Sequence, residues 1–464
     1  MKKKIFTSMM MMACLLPIGG WAEVETDSVA VVTGALDFTK ADSLPTGEGF
    51  TWANDTLKLS DLNIEAENEN GIVLPDGATI VLSGNNTINF KHTMQDTGAA
   101  IKGIGSLAFT GDGTLNINSS YEAINAAGDL KINGGKMEIE TTGESSDGSI
   151  TSPTLLSINN SEINLNAIED DGIFVYSGTV EINKSTLNIH ATEEEGIVCN
   201  NATISNDSHV YLYSGAKEAF EPSTLSISDS YVELFADNEP YKYQSLYRNA
   251  IVTGITNSTF KALGHGNESA LREGEQADST VLKMQSVSNS WVEGYAPIEI
   301  ETVNNSFVRT ISPEATTNAV HGEYTLPASI EITEGEELII SENATLTVPS
   351  GLTLTNNGTA TNEGTLHIKA GGALESSTSI DGIIIDDNQM VGTETIEAQS
   401  TRIYSAEGKI IVIAPQPTDV QIISMTGAVV ASANVSGQQE FTNLASGVYI
   451  VRAGEEIVKL NVAH

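Results

Sequence analysis

Carboxylates recur at one step of a repeated pattern in the middle of the chain, in the segments AIEDDGIFV, TEEEGIVCN and GAKEAFEP. Asp171, Glu195 and Glu218 each stand two residues before a large apolar residue. If copies of the pattern are stacked one strand spacing apart, at ~4.8 Å, neighbouring charged carboxylates repel each other by roughly 3–4 kcal/mol at an effective dielectric constant near 20. Such a column requires side chains that extend into water or a divalent cation between them.

Calcium is the cation that suits this column best, because it accepts about six to eight oxygen ligands in loose geometry. The chain has no DxDxDG calcium loop, so the ligands would come from successive repeats. The alternative is that the acidic side chains mark solvated turns and keep the protein soluble. The candidate metal ligands are Asp147, Asp170, Asp171, Glu194, Glu195 and Glu218.

Catalysis at this column would need a base in addition to the cation. Lys217 lies beside the column and is a weak candidate for that base, but a counter-ion role that relieves the repulsion is favoured. Asp170 and Asp171 are adjacent, so on a strand they would face opposite ways, which argues against a paired-carboxylate hydrolase. The residues leave catalysis open and favour a protein that is not an enzyme.

A repeat of short strands must position these residues. Runs of Ile, Leu, Val and Thr alternate with Asn, Gly, Asp and Ser, without a sustained helical period. A unit of about 23 residues buries its apolar side only when stacked on its neighbours. The sequence therefore predicts an all-β, right-handed parallel β-helix of about ten coils, rather than an array of β-sandwiches. The apolar residues that anchor the repeats are Ile72, Ile101, Ile124, Ile150, Ile173, Ile197, Phe220, Ile251, Leu271 and Ile298.

A second column of small residues runs in phase with the anchors, each after a turn that usually carries Asn or Asp. In a parallel β-helix these small residues and the turn asparagines would form ladders, with each side chain bonded to its copy one coil away. The members of this column are Gly113, Gly135, Ser161, Ser185, Ser208, Ser230, Ser258, Ser290 and Ser306.

The remaining segments suggest the domain limits. Residues 23–56 would cap the β-helix, which spans 57–312, and narrower coils would continue the solenoid over 313–376. Residues 377–394 are expected to form a linker, and 395–464 a small C-terminal antiparallel β-sandwich of five to seven strands.

The first 22 residues have the features of a signal peptide, with three lysines, an apolar run and small residues before the cleavage point. Cys14 is an alternative lipidation site. The sequence thus predicts an exported monomer without a membrane span, extracellular or at the cell surface, with the periplasm as an alternative. Loss of three lysines takes the net charge from −39 to −42, which argues against nucleic acid as a partner.

Exposed aromatic side chains would suit a polysaccharide partner, because sugar rings stack on them. The segment ADNEPYKYQSLYRNA interrupts the repeat and supplies the weak carbohydrate-binding candidates Tyr241, Tyr243, Tyr247 and Arg248. The alternative is a loop folded over the solenoid with its tyrosines packed against the core.

The segments EAINAAGDLKINGGKMEIE, EDDGIFVYSGTVEINKSTLNIHATEEEGIVCNNATI and TLKLSDLNIEAENENGIVLPDGATIVLSGNNTINF resemble the bacterial carbohydrate-binding-domain-containing β-helix family. The resemblance covers residues 56–235 well. It implies a pectate-lyase-like fold, binding of acidic polysaccharide such as polygalacturonate, and calcium roles for Asp170, Asp171, Glu194 and Glu195, and more weakly for Asp147 and Glu218. The chain departs from the family pattern with glutamates at 193–195 and Glu-Ala at 218–219.

The C-terminal segment resembles the β-sandwich modules of exported Bacteroidetes proteins. The matching motifs run from Ile422 to Val429 and from Leu444 to Val451. Some such modules act as sorting signals, but the YPNP-like start of the sorting class is replaced here by IAPQPTDV.

These observations together predict an exported β-helix protein that binds carbohydrate with the help of calcium, with an acidic polysaccharide as the favoured ligand. A polysaccharide lyase-like enzyme is the first alternative, and a surface adhesin or structural spacer is the second. A lysine facing the calcium site would favour the enzyme, and an aromatic-lined groove would favour the binder.

Overall fold

The computed structural model describes residues 30–390 and 401–463, apart from 41, 43, 68–69, 93–97, 144, 146, 238–244, 248, 265–280, 296–297, 313–314 and 407. The signal peptide, Cys14 and part of the predicted linker lie outside the described residues. The chain divides into two compact units, residues 1–386 and 387–464. No helix among the described residues is long and apolar enough to cross a membrane.

One side of the solenoid is a sheet of fifteen described strands, called sheet A, in which each strand pairs with its counterpart one coil away. All of its pairings are parallel except that between β29 and β30. The strands of sheet A are β1 (Ala30–Thr33), β5 (Leu62–Glu67), β8 (Asn85–Lys91), β11 (Thr114–Ser119), β14 (Lys136–Thr141), β17 (Glu162–Ala167), β19 (Thr186–Ala191), β21 (His209–Ser214), β23 (Tyr231–Ala236), β25 (Thr259–Gly264), β27 (Trp291–Tyr295), β29 (Ser306–Ile311), β30 (Thr316–His321), β33 (Glu336–Ile340) and β36 (Thr359–Asn362).

The other side is sheet B, with seventeen described strands. The strands of sheet B are β2 (Leu36–Asp37), β3 (Phe50–Ala53), β4 (Thr56–Ser60), β6 (Asn70–Leu74), β7 (Ala78–Ser83), β9 (Ala99–Gly103), β10 (Leu107–Gly111), β12 (Glu122–Ala126), β13 (Leu130–Asn133), β15 (Ile150–Thr151), β16 (Leu155–Asn159), β18 (Ile173–Asn183), β20 (Ile197–Ser205), β22 (Phe220–Ser228), β24 (Ile251–Thr256), β26 (Leu282–Ser288) and β28 (Ile298–Asn304).

Sheet B changes character along the solenoid. In the early coils it consists of two ladders, β6-β9-β12-β15 and β4-β7-β10-β13-β16. Strand β18 joins them, because its first residues pair with β15 and its last residues with β16, and a register shift lies between Val175 and Thr179. The parallel pairing from coil to coil confirms the predicted parallel β-helix.

The later coils run in a second solenoid that begins with a reversal. Strand β30 pairs antiparallel with β29, with Ser306 opposite His321, and parallel stacking then resumes from β30 to β33 and β36. Two further parallel sheets complete these coils, with β31 (Glu323–Thr325), β34 (Thr345–Val348), β37 (Thr365–Ile368) and β39 (Ile383–Asp386) in one, and β32 (Ile330–Ile332), β35 (Thr353–Asn356) and β38 (Ala373–Ser376) in the other. The predicted linker 377–394 includes β39, which pairs with β37, and a 3-10 helix, Asp387–Met390.

The C-terminal unit is a five-stranded antiparallel sheet with its own buried core around Ile410, Val412, Val420, Ile422 and Val451. Its strands are β40 (Arg402–Ala406), β41 (Lys409–Ser424), β42 (Val429–Phe441), β43 (Gly447–Ala453) and β44 (Glu456–Val462). The antiparallel C-terminal sheet that the sequence predicts is therefore present.

The anchor residues form a buried column on sheet B. Ile124, Ile150, Ile173 and Ile197 stand in register and are fully buried, and burial of each such side chain stabilises the fold by roughly 1.5–3 kcal/mol. The predicted anchor is wrong after Phe220, beyond the inserted segment 237–245. There Leu246, and not Ile251, pairs with Phe220. Ile251 is exposed and pairs with Thr224, because it stands 31 residues after Phe220, well beyond the repeat period of about 23 residues. The predicted anchor Leu271 lies outside the described residues.

The serine column is confirmed as a continuous ladder. From Ser185 to Ser306, each serine hydroxyl of the column accepts a bond from the backbone N–H of the serine in the preceding coil, as in Ser185 N to Ser208 Oγ at 3.3 Å and Ser208 N to Ser230 Oγ at 3.2 Å. The Ser208 hydroxyl also donates to the Ser205 carbonyl at 2.6 Å. The side chain thus satisfies buried backbone groups at a turn that the strand ladder leaves unpaired.

We expect Ser208→Ala to lower the free energy of unfolding by about 1–3 kcal/mol, because it leaves the buried N–H of Ser185 without an acceptor. Chemical denaturation of the full chain measures the change. Thr203→Ala on the neighbouring exposed strand position is the matched control and should change stability by less than ~0.5 kcal/mol. Equal effects of the two substitutions would contradict the role assigned to the ladder.

Candidate functional site

The acidic column lies at the corner where the chain leaves sheet A and enters sheet B. Backbone bonds fix its rungs: Gly172 N donates to Glu195 O at 2.9 Å, and Gly196 N to Glu218 O at 3.2 Å. A side chain at Gly196 would approach the carbonyl oxygen of Ala219 to 2.3 Å. The glycine therefore allows the close approach of neighbouring coils that brings the carboxylates together. We call this corner, with Asp171, Glu194, Glu195, Glu218 and Glu221, the acidic corner.

Five carboxylates converge at the acidic corner from three successive coils. Asp171, Glu194 and Glu195 place one oxygen each within 4.8 Å of one another, and Glu195, Glu218 and Glu221 do the same. Glu195 thus belongs to both groups. Glu221 is the member that the sequence did not predict. The sequence feature that could have identified Glu221 is its place directly after the Phe220 anchor. The corresponding residue of the preceding coil is the apolar Val198.

Burial sets the protonation of these groups. Burial and the hydrogen bond with the Glu195 side chain raise the pKa of Asp171 to about 9, from an ordinary value of 3.8. Burial and the charge of Glu221 raise the pKa of Glu218 to about 7. Burial also raises the pKa values of Glu194 and Glu221 above their ordinary value. Without a cation, the acidic corner therefore retains protons that water-exposed carboxylates would have released.

Lys217 lies against the acidic corner as an ion-pair partner. Its Nζ is 3.1 Å from Glu195 Oε2 and also contacts Glu194 Oε2. Burial lowers the pKa of Lys217, but hydrogen bonds and attraction to these two carboxylates outweigh it and raise the pKa above its ordinary value. The geometry supports the counter-ion role over that of a base, because the ammonium group is held protonated.

Asp170 and Asp147 lie one residue before the rungs, outside both carboxylate groups. Asp170 accepts bonds from Asp171 N at 2.9 Å and Ser145 N at 3.1 Å, and from the Ser145 hydroxyl. It fastens one turn to the turn of the preceding coil. Asp147 is exposed, and Gly148 occupies the rung below Asp171. Asp147 thus precedes the column by one residue, as its place three residues before Ile150 indicates.

Glu122 continues the acidic column two coils below Asp171. It is only 2% exposed and accepts a bond from Asn125 Nδ2 at 2.6 Å. Burial raises its pKa to about 7, although the bond from Asn125 opposes the shift. Gly148 separates Glu122 from the acidic corner, so Glu122 is a second buried carboxyl in the same column.

The predicted carbohydrate-binding loop lies mostly outside the described residues, which exclude Tyr241, Tyr243 and Arg248. Tyr247 is described and packs, partly buried, against the solenoid core. Its hydroxyl accepts a bond from Asn249 Nδ2 at 3.2 Å. Tyr247 thus adopts the packed arrangement, which is the alternative that the sequence leaves open for this loop.

The raised carboxyl pKa values predict a pH dependence in metal-free buffer. The folded state keeps protons on Asp171 and Glu218 that the unfolded state loses above its ordinary pKa values, so their contribution to stability is fully present at low pH. It is lost as pH rises through about 7 for Glu218 and about 9 for Asp171. We therefore expect the melting temperature in EDTA to fall between pH 5 and pH 9.

Asp171→Asn should reduce that fall, because the amide does not ionise. Asp207→Asn is the matched control, since the Asp207 side chain is 94% exposed. Melting curves recorded by circular dichroism at several pH values measure both effects. Parallel profiles for the wild type and Asp171→Asn would show that Asp171 does not carry the dependence.

Comparison with known protein families shows a match over part of the chain. Residues 53–237 match the model of the family described as carbohydrate-binding domain-containing protein. No curated protein and no solved structure matches the chain. The matched segment contains every carboxylate of the acidic corner, and it ends where the insertion at 237–245 begins. This segment of the chain is therefore similar to a carbohydrate-binding domain.

Proposed function

We propose that the first solenoid binds carbohydrate and that the acidic corner of the same coils holds calcium. The observation that carries the proposal is the convergence of five carboxylates from three coils, with Glu195 shared by two groups, inside a segment similar to a carbohydrate-binding domain. All of these donors are carboxylate oxygens, the ligand type that calcium prefers.

The burial of the ligands favours a structural calcium ion. Asp171 and Glu218 are buried and the Glu195 side chain is only 12% exposed, whereas Glu194 and Lys217 each expose 34% of their side chains. Bound calcium would neutralise the repulsion between rungs and hold three coils together. The Lys217 ammonium competes with the cation for Glu194 and Glu195, so calcium affinity should depend on displacement of this side chain.

Catalysis has less support than binding. A lyase needs a neutral base near the cation, and Lys217 is held charged by two carboxylates. An acidic polysaccharide would approach a strongly acidic protein, so its binding would depend on calcium as a bridge. We further propose that the protein is exported as a monomer, with residues 1–22 as its signal peptide.

A thermal-shift titration of the full chain tests the calcium site. Calcium at about 100 times its dissociation constant should add about 2.7 kcal/mol, which would raise the melting temperature of a unit of this size by ~3 °C. Glu195→Gln should abolish most of the rise, because Glu195 is shared by both groups. Glu181→Gln, at an exposed position of β18, is the control. A calcium response that Glu195→Gln leaves unchanged would place the ion elsewhere.

Calorimetry tests carbohydrate binding, with polygalacturonate and neutral polysaccharides titrated in calcium and in EDTA. We expect binding of at least one polysaccharide without release of an unsaturated product. A protein that binds none of them, with or without calcium, would overturn the proposal and favour the structural spacer. Accumulation of unsaturated product would favour the lyase.

A further inference from the structure

The outer face of sheet A changes composition abruptly along the solenoid. Three outward columns run in register from coil to coil, and the change is seen in two of them. In the middle column Asn116, Glu138, Asn164 and Asn188 are followed by Tyr211. In the next column Asn118, Glu140, Asn166 and His190 are followed by Tyr213. An amide-rich surface therefore meets an aromatic one between β19 and β21.

The amide-rich part forms an open groove of about 560 Å³, lined by Asn116, Asn118, Glu138, Asn164, Asn166 and Asn188, among others. Its polar side chains are held by one another across coils. Asn188 Nδ2 donates to Asn164 Oδ1 at 2.6 Å, and Asn164 Nδ2 to Glu138 Oε1 at 2.9 Å. The groove thus presents fixed donors and acceptors at the spacing of the strands, ~4.8 Å.

The aromatic part contains a ladder of stacked rings, formed by His190, Tyr213 and Phe235. His190 and Tyr213 stack at 4.3 Å with an angle of 9° between their planes, and Tyr213 and Phe235 at 5.9 Å and 14°. Tyr211 is the aromatic residue of the middle column, in which Glu233 follows it, and Tyr231 belongs to the neighbouring column. Tyr211 contacts Tyr231 at 5.4 Å on one side, and the register places the smaller Asn188 on the other.

This position leaves Tyr211 with ring surface beside the groove. Tyr211 is 41% exposed, and an amide covers less of a ring face than another ring would. Burial and the charge of Glu233 raise the pKa of Tyr211, so its hydroxyl remains a donor. A flat apolar ring beside a row of oriented amides suits a sugar chain, whose rings have apolar faces and hydroxyl-bearing edges.

The charges of this face select among sugars. Glu138 and Glu140 line the groove, and the Lys136 charge is already shared between Glu138 at 2.9 Å and Glu162 at 2.7 Å. A uronate would therefore meet negative charge at short range, whereas a neutral sugar would meet hydrogen-bonding groups.

We propose that the groove ending at Tyr211 on the outer face of sheet A binds a neutral polysaccharide chain, with amides bonding its hydroxyls and Tyr211 stacking on one of its rings. The proposal rests on carbohydrate binding as the proposed function and names its surface and ligand class. It needs no calcium contact, because the carboxylates of the acidic corner are not among the groove residues.

Calorimetry on the full chain with calcium present tests the proposal, with hydroxyethylcellulose, arabinoxylan, galactomannan and polygalacturonate as probes. Tyr211→Asn removes the ring and continues the amide column of Asn164 and Asn188, so the coil should still fold. We expect it to weaken binding of the best neutral probe about tenfold. Tyr211→Phe, which keeps the ring, should stay within about threefold of the wild type.

Tyr176→Ala is the matched control, because Tyr176 is 69% exposed on sheet B and should leave binding unchanged. Melting curves check that every variant is folded.

A neutral glycan bound equally by the wild type and Tyr211→Asn would overturn the assignment of this surface but leave carbohydrate binding by the protein intact. Binding of polygalacturonate alone would overturn the neutral class, and binding of no probe would overturn both proposals. A change of molar mass in Tyr211→Asn by light scattering would identify a protein interface and overturn the proposal.

Discussion

In-register stacking of parallel coils is the constraint on which the rest of this structure depends. Each residue of a coil stands about one strand spacing, ~4.8 Å, from the corresponding residue of the next coil. A side chain is therefore surrounded by its own copies, and its suitability depends on how well it pairs with itself. Isoleucine packs on isoleucine inside, serine bonds the backbone of the preceding serine, and asparagine bonds asparagine, as Asn183 does with Asn159 at 3.0 Å.

Carboxylates violate this rule, because like charges do not pair with themselves. The acidic corner and the adjacent Asp170 show three ways in which the repulsion is reduced. Asp170 accepts hydrogen bonds from the preceding turn, Glu194 and Glu195 share the ammonium group of Lys217, and Asp171 holds a proton through burial. A column that needs three separate remedies is an unfavourable choice for a merely solvated turn. The Asp207 side chain, elsewhere on the solenoid, is 94% exposed, so water solvates its charge.

The sequence predicted the features that arise from regular repetition. The parallel β-helix, the serine ladder and the isoleucine anchors follow from a constant period, which a single chain reveals without any other information. Predictions failed where the period is interrupted. The insertion at 237–245 moved the anchor from Ile251 to Leu246. The reversal between β29 and β30 also escaped prediction, because alternating polar and apolar residues give the same pattern in parallel and antiparallel strands.

The groove on sheet A was missed for a different reason. Outward asparagine and tyrosine positions are typical of any solvated strand, and only the register shows that they form columns.

The two surfaces of the first solenoid are linked through the chain that forms them. Strand β17 and the corner that follows it supply Asn164 and Asp171, the next coil supplies Asn188 and Glu195, and the one after that supplies Tyr211 and Glu218. A cation that fixed the distance between carboxylates at the corner would therefore also fix the distance between amides and ring across sheet A. Because both distances are the spacing between the same three coils, calcium would support sugar binding without touching the sugar. The coupling would end at the insertion that follows β23, where the regular register of sheet B is lost. This limit coincides with the end of the segment that is similar to a carbohydrate-binding domain, which is the expected boundary if the stacked coils act as one binding unit.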